Sequence, residues 1–453
     1  MEKIIGKIKE KIDITKLINL VIIIGIVVRV IYVSYTNYDV RQHDIEPGVG
    51  HIAYIMHIYE TGSLPESNRW QFYHPPLHHF LSAVWLKTCS LSFFDSTQIM
   101  ECLQVLPLIY TILIIYVTRK ILKEINLEEK YQLLVMMIIS LHPSLILLSG
   151  SINNDCLTLL LMVCVIWYML KWRKKILNYF DKDNIKENKN SFKELIITTI
   201  VFAVFMGLCV MTKLNGAIIA IPVAIFFIWY FFGYFTNKEK IKRYILILGI
   251  FGLISLSLGL WYPIRNCIKF GQELTYVPTP GAASKCEVYS LAERFLPISK
   301  KELIDDVFCD TGADCNIPAF VIKSSLFGEY SYYNVRIATF IKYINMIMIL
   351  FVIISTVRNL IHLKKKDMRF ERIFILLVHL ISVISFIYFN IKMPYGCTMD
   401  FRYITITLFS GSILMALDLK DAEGKKYCVL YRNVMYVFTV VFSILSIMLY
   451  TIK

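Results

Sequence analysis

The sequence predicts an all-α polytopic membrane protein, with about eleven transmembrane helices and further interfacial helices on its outer face. Three observations predict it. The 453-residue chain is 57% hydrophobic and 18% charged, with a mean hydropathy of +0.58, whereas a soluble domain carries about a quarter charged residues. Apolar runs of about 20 residues recur along it. Lys and Arg collect in the short segments between those runs, where the positive-inside rule places cytoplasmic loops. The net charge of +14 is therefore a topology signal and gives no reason to expect nucleic acid as a partner. The eleven cysteines are scattered without a CxxC pair, so no structural zinc site is expected.

Each element follows in order. Lys3, Lys7, Lys9, Lys11 and Lys16 precede a first span at 17–35, which has no small-residue cleavage site and reads as an uncleaved helix. The N-terminus is then inside, and the loop after this span is outside. Further spans are expected at 102–116, 133–148, 157–170, 195–211, 217–235, 244–261, 337–357, 373–389, 403–417 and 434–450. This count puts the basic clusters at 119–120, 171–175, 238–243, 358–366 and 420–426 inside, together with the polar loop 178–193. Segment 76–94 is apolar but carries His78, His79 and Lys87. Counting it as a crossing would move every later basic cluster outside, so it reads as an interfacial or re-entrant helix on the outer face.

One membrane domain, 1–453, is expected. Within it, 36–100 forms a first outer loop with an interfacial helix, and 262–336 forms a long outer loop. The turns at 149–155, 212–216 and 390–402 join them on that face. No internal repeat of the kind found in inverted-repeat transporters is visible. Cys267, Cys286, Cys309, Cys315 and Cys397 fall outside; five is an odd number, so at least one is unpaired, and no pairing can be assigned.

Charged groups at a bilayer edge are costly unless they have a use. Asp39 and Asp44 stand in the first outer loop with Arg41, His43, Glu46 and His51. A carboxylate there can take a proton from an acceptor hydroxyl, or can hold a divalent cation, Mg2+ or Mn2+, beside a phosphate leaving group; ordinary solvated loop acids are the plain alternative. Tyr73-His74-Pro75-Pro76 starts a helix, where exposed N–H groups favour phosphate. His74 and His78 share a face at i, i+4, a spacing conceivable for a metal pair but lacking a nearby Glu. Asn154 and Asp155 lie at an outer turn as helix caps or cavity residues. Lys213 and Arg265 are positive charges on the unfavoured side; Lys213 either snorkels to headgroups or binds a lipid-linked phosphate, and Arg265 suits a phosphate through its forked guanidinium. Asp400 and Arg402 open the tenth span and are candidates to pair with each other. Arg41, His43, His51, Tyr73, His78, Asn154, Asp155, Asn266 and Asp400 are read as lining one outer cavity.

Taken together these residues resemble the GT-C superfamily of polytopic glycosyltransferases, within it the bacterial relatives of protein O-mannosyltransferases and aminoarabinose lipid A transferases. The resemblance lies in an acidic first outer loop (Asp39, Asp44), an HPPL helix start (His74 to Leu77), an S-x-x-x-D turn (Ser151 to Asp155), a TK-x-x-G turn (Thr212 to Gly216), an RN-x-x-x-FG stretch after Tyr262, and a D-x-RY close (Asp400 to Tyr403). It implies inverting transfer of a hexosyl or pentosyl group from a polyprenyl-phosphate donor to an acceptor on the outer face. The catalytic carboxylate would be Asp44, with Asp39 second. The donor phosphate would meet His74, Lys213, Arg265 and Arg402. The acceptor would be a protein, a lipid or a cell-wall glycan, and the membrane a bacterial plasma membrane. The family's frequent Asp-Glu pair is missing, because Ile45 follows Asp44, and Tyr73 stands where some relatives have an acid. Metal dependence and the choice between the aspartates stay open. Two other readings fit the composition: a lipid-linked glycan flippase or transporter, and a glycan ligase or polymerase with a lipid-diphosphate donor.

Overall fold

The computed structural model describes residues 13–66, 69–92, 95–180, 189–280 and 285–451. The basic cluster before Lys16, most of the loop 178–193 and the end of segment 76–94 therefore lie outside the described residues. The described chain is helical, without a strand beyond one isolated bridge between Lys285 and Tyr395.

Nine helices among the described residues are long and apolar enough to cross a membrane, and two bent pairs bring the number to eleven. They are α1 (Ile14–Tyr35), α4 (Ser96–Glu124), α7 (Asp155–Phe180), α8 (Lys189–Thr212), α9 (Ala220–Tyr234), α10 (Lys238–Phe270), α12 (Val335–Ile361), α13 (Arg369–Lys392) and α15 (Cys428–Thr451). The bent pairs are α5 (Glu129–Leu141) with α6 (Pro143–Leu147), and a 3-10 stretch with α14 (Ile406–Ala422); each is bent by 49°. Every span expected from the sequence has a counterpart. Segment 76–94 contains α3 (Leu77–Cys89), whose 13 residues fall short of the roughly 20 that cross a bilayer. It packs against α2 (His51–Thr61), and Tyr54, Ile55, Ile58, Phe72, Ala83 and Leu86 form a small core of their own there.

Helix α7 sits at the centre, with 83% of its apolar window buried. Helix α10 runs further than its hydropathy suggests. Its 33 residues reach about 50 Å, well past a hydrocarbon core of about 30 Å. Pro263 is accommodated inside it, and Gly271 ends it with a left-handed φ of 64°. Arg265 and Asn266 therefore stand on a helix, and the long loop starts at Gly271 rather than at 262. That loop contains α11 (Ile317–Phe327), capped by Asn316 and tied by a Cys286–Cys315 disulfide.

Polar contacts sort the ends of the bundle into two sets. At one end the pairs are Arg119–Glu129, Lys130–Glu423, Lys174–Glu124, Lys175–Glu194, Arg173–Glu371 and Arg372–Asp421. All join segments that the positive-inside alternation puts on the basic side. At the other end the first loop, the turn 149–155, the turn at 213, the long loop and the turn 393–405 meet one another. Gln42 donates to the Gly150 carbonyl and accepts from the Ile152 N–H, both at 2.7 Å.

Candidate active site

The first loop is held in a conformation that only certain residues allow. Asp44 has φ 54°, in the left-handed region that Asp tolerates better than most side chains. Its carbonyl accepts from the His51 N–H at 2.7 Å, while the Gly50 N–H bonds to the Glu46 carbonyl at 2.8 Å. A Cβ at Gly50 would stand 2.5 Å from the Asp44 carbonyl oxygen, so this tight return needs glycine. The result turns the Asp44 carboxylate toward the end of the helical bundle.

Arg402 meets it there. Its guanidinium donates to Asp44 Oδ2 at 3.2 Å and to the Tyr403 hydroxyl at 3.2 Å. Asp400 does not take Arg402 as an ion-pair partner; its Oδ1 accepts from the Arg402 backbone N–H at 2.7 Å and fixes the turn. Lys213 lies 5.1 Å from the centre of the Tyr403 ring and pairs with Asp155 at 2.5 Å. Asn154 holds the neighbouring backbone by donating to the Thr212 carbonyl at 3.2 Å. Asp155, Lys213, Tyr403, Arg402 and Asp44 thus form one continuous polar string across three turns and the first loop. Burial pushes the Asp44 carboxyl up, but Arg402, His43, Lys213 and a hydrogen bond from Trp70 outweigh it and hold its pKa below the usual carboxylate value. The Tyr73 phenol lies beside this string; burial and the Asp44 charge hold its pKa above the usual value.

His43 turns to the other side of the loop. Its Nδ1 is 3.4 Å from Glu329 Oε2 and its Nε2 is 3.9 Å from Asp400 Oδ2. One ligand atom from each of the three residues lies within 4.8 Å of the others, the only such grouping of potential metal ligands among the described residues. Glu329 follows Gly328, whose φ of 61° and close approach to Leu147 turn the chain back from α11. Burial raises the Glu329 carboxyl, yet His43 and Arg402 together bring it below the usual value.

The remaining sequence candidates lie around this core. His74 is buried and stacks between Tyr73 and His51, with ring centres 4.0 and 5.6 Å away. His51 Nδ1 and His79 Nε2 are 2.9 Å apart, and His78 faces Ser82. Burial above all, with neighbouring positive charges, keeps His51, His74 and His79 well below the ordinary histidine pKa, so His74 offers a phosphate a hydrogen bond but no charge. The His74 and His78 rings do not converge on a common point with a third ligand. Arg41 leaves the cavity and lies 4.1 Å above the Tyr332 ring. Asp39 is exposed. Arg265 donates to Asn266 and, at 2.8 Å, to the Pro65 carbonyl, which clamps α10 to the first loop. Tyr262 is buried, and its hydroxyl meets Tyr54 at 2.8 Å and the Phe72 carbonyl at 2.7 Å.

Sequence reasoning missed Glu329, and it named Tyr403 only as the end of the D-x-RY close. Glu329 had a signal, since a single acid after Gly328 and before Tyr330 and Tyr332 is an isolated charge in an aromatic stretch.

This arrangement of helices has known counterparts. The Archaeoglobus fulgidus oligosaccharyltransferase in its apo form aligns over 96% of this chain with a TM-score of 0.53 at 10% identity. This is a GT-C fold. The same archaeal protein in complex with an inhibitory peptide and a dolichol-phosphate gives a TM-score of 0.52 at 11% identity, again over 96% of this chain. The chain spans 56% of the length of that protein. ArnT from Cupriavidus metallidurans bound to undecaprenyl phosphate aligns over 89% of this chain and 77% of its own, with a TM-score of 0.40 at 12% identity. The family described as dolichyl-phosphate-mannose-protein mannosyltransferase matches residues 73–269, less than half of this chain but including His74, Asp155, Lys213 and Arg265. No curated protein matches the sequence.

Proposed function

We propose that this protein transfers a sugar from a polyprenyl-phosphate donor to a hydroxyl acceptor, with inversion, on the outer face of a bacterial plasma membrane. The observation that carries the reading is the polar string from Asp155 to Asp44, which places two carboxylates and two cations at the end of the bundle opposite the basic turns. The GT-C fold, the mannosyltransferase family match and the dolichol-phosphate complex of the archaeal neighbour all support a lipid-linked donor. The Cys286–Cys315 disulfide lies in the long loop on the same side, and disulfides belong to oxidising compartments.

The chemistry follows from the charges. The acceptor oxygen attacks the anomeric carbon while the bond from that carbon to the phosphate oxygen breaks. Asp44 accepts the hydrogen bond from the acceptor hydroxyl and takes its proton as the new bond forms. The electron pair of the broken bond leaves on the lipid phosphate. Arg402 and Lys213 stabilise that developing charge, Arg402 through two donors of its planar fork. An apolar cavity of about 210 Å³ adjoins the same turn, lined by Phe401 and Ile404 and by Met348, Val352, Val383 and Met415 from the spans. It would take the first part of the prenyl chain.

The acceptor is a protein hydroxyl, a lipid or a cell-wall polymer, and the sugar a hexose or pentose. The test is reconstitution in liposomes with labelled polyprenyl-phosphate sugars. The proposal expects labelled acceptor and free polyprenyl phosphate in equal amounts. Label that crosses the bilayer with the sugar still on its carrier would refute it in favour of a flippase. Transfer only from diphosphate donors would refute it in favour of a ligase.

A further inference from the structure

We propose that His43, Glu329 and Asp400 form a binding site for one divalent first-row transition-metal ion, Mn2+ in preference to Mg2+, beside the Asp44–Arg402 pair. The three residues come from the first loop, the turn after α11 and the turn before α14, and one atom of each lies within 4.8 Å of the others. Two carboxylates placed together in a buried position repel each other and cost desolvation unless something compensates them. Asp400 is 2% exposed, and its Oδ2, which faces His43 Nε2 at 3.9 Å, has no hydrogen-bond partner. Glu329 Oε1 is also buried without a partner. A buried unpaired carboxylate oxygen is rare and calls for an occupant.

The donor set names the class of ion. Mg2+ prefers oxygen ligands and keeps its waters, whereas an imidazole with two carboxylates suits Mn2+, Fe2+ or Zn2+. Metal bonds of about 2.0–2.2 Å bring neighbouring ligand atoms to about 3 Å from each other, so the side chains would draw together around the ion. Asp44 is not among the ligands. It stays with Arg402, and the ion adds positive charge next to that pair. The role of that charge in catalysis rests on the glycosyltransferase reading; the binding site itself does not.

The test uses chelator-treated full-length protein in nanodiscs, with Mn2+ binding followed by electron paramagnetic resonance and calorimetry in the absence of any donor. The expected result is one Mn2+ per chain, with affinity lowered at least tenfold in both Glu329→Gln and His43→Ala, and unchanged in Asp39→Asn. Because Asp400 also fixes the Arg402 turn, Asp400→Asn is read only alongside its melting curve. Absence of stoichiometric Mn2+, or binding unaffected by Glu329→Gln, would overturn the site. Sugar transfer measured separately keeps the proposals apart. Transfer without Mn2+ binding removes the metal site alone, and Mn2+ binding without transfer removes the glycosyltransferase reading alone.

Discussion

Asp44 and Arg402 stand 358 residues apart in the chain and 3.2 Å apart in space. One comes from the loop after the first span and the other from the turn before α14, so their contact closes the site across the whole fold. Arg402 has a side chain 8% exposed and donates through both terminal nitrogens, one to Asp44 and one to Tyr403. A phosphate arriving at this position would compete with Asp44 for the same fork. Arg402→Lys keeps the charge and loses the fork. It should lower kcat/KM for the lipid donor about tenfold or more, a loss of about 1.4 kcal/mol in transition-state binding. Initial-rate kinetics with varied donor would show it; a rate equal to wild type would remove Arg402 from the donor site.

Lys213 and Asp155 form a pair whose side chains are 10% and 7% exposed. Removing one partner of a buried pair strands the other charge, at a cost of about 3–5 kcal/mol. Lys213→Met and Asp155→Asn should each lower the melting temperature of the purified protein. The double variant should recover much of the loss, because no lone charge remains. Equal melting of all four proteins would mean that the pair is not formed in solution.

Arg29 is a fully buried charge in the first span, and its partners explain it. Pro143 has no N–H for the Ile139 carbonyl, and the Ser144 N–H is taken by the His142 ring at 3.2 Å, which frees the Ser140 carbonyl. Arg29 donates to both carbonyls, 3.1 Å to Ile139, and to Gly25 in its own helix. It thereby caps the broken end of α5 inside the bundle, where water cannot do so. A Cβ at Gly25 would come 2.6 Å from the Ser140 oxygen, so the close approach of α1 needs this glycine. Arg29→Met should destabilise the protein by about twice the roughly 1–3 kcal/mol of a single unsatisfied buried group, since two carbonyls lose their donor. Thermal unfolding in detergent measures this, and an unchanged transition would contradict the capping role.

The histidine cluster makes the outer part of the protein sensitive to acid. His51, His74 and His79 are held well below the ordinary value and His78 is pushed down to about 4, in each case first of all by burial. The groups around them are Tyr54, Tyr73, Tyr262, Asp155, Lys213 and Arg402. The unfolded chain takes up protons near pH 6.5 and the folded chain does not, so stability is full above pH 6.5 and falls as the pH drops below it. Each histidine contributes a slope of about 1.4 kcal/mol per pH unit, and for His78 the loss ends near pH 4. Melting temperature followed from pH 7.5 to pH 4.5 should fall steeply, and less so in His78→Asn. A flat profile in wild type would mean that these rings are already protonated in the folded state.

Much of this was legible in the sequence, for physical reasons. Hydropathy and basic clusters fix spans because every backbone polar group in lipid must be satisfied internally, and all eleven expected spans have counterparts. The 13-residue α3 was readable as a non-crossing helix because a full crossing would have reversed the charge alternation. Helix ends were less legible. Pro263 and the apolar-to-polar change at Tyr262 suggest a boundary, yet packing against Tyr54 and Phe72 carries α10 on to Phe270. Pairing was the least legible. Arg402 with Asp44, Lys213 with Asp155 and His43 with Glu329 are contacts between distant segments, and one sequence contains no information about which charge each turn will face.

The most direct test of the central claim compares wild type, Asp44→Asn and Asp39→Asn for transfer of labelled sugar from a polyprenyl-phosphate donor in liposomes. Asp44 is part of the polar string and Asp39 is exposed outside it. The expected result is transfer by wild type and Asp39→Asn at similar rates, with none above background in a folded Asp44→Asn. Full activity in Asp44→Asn, or loss confined to Asp39→Asn, would contradict the assignment of Asp44 as the group that takes the acceptor proton.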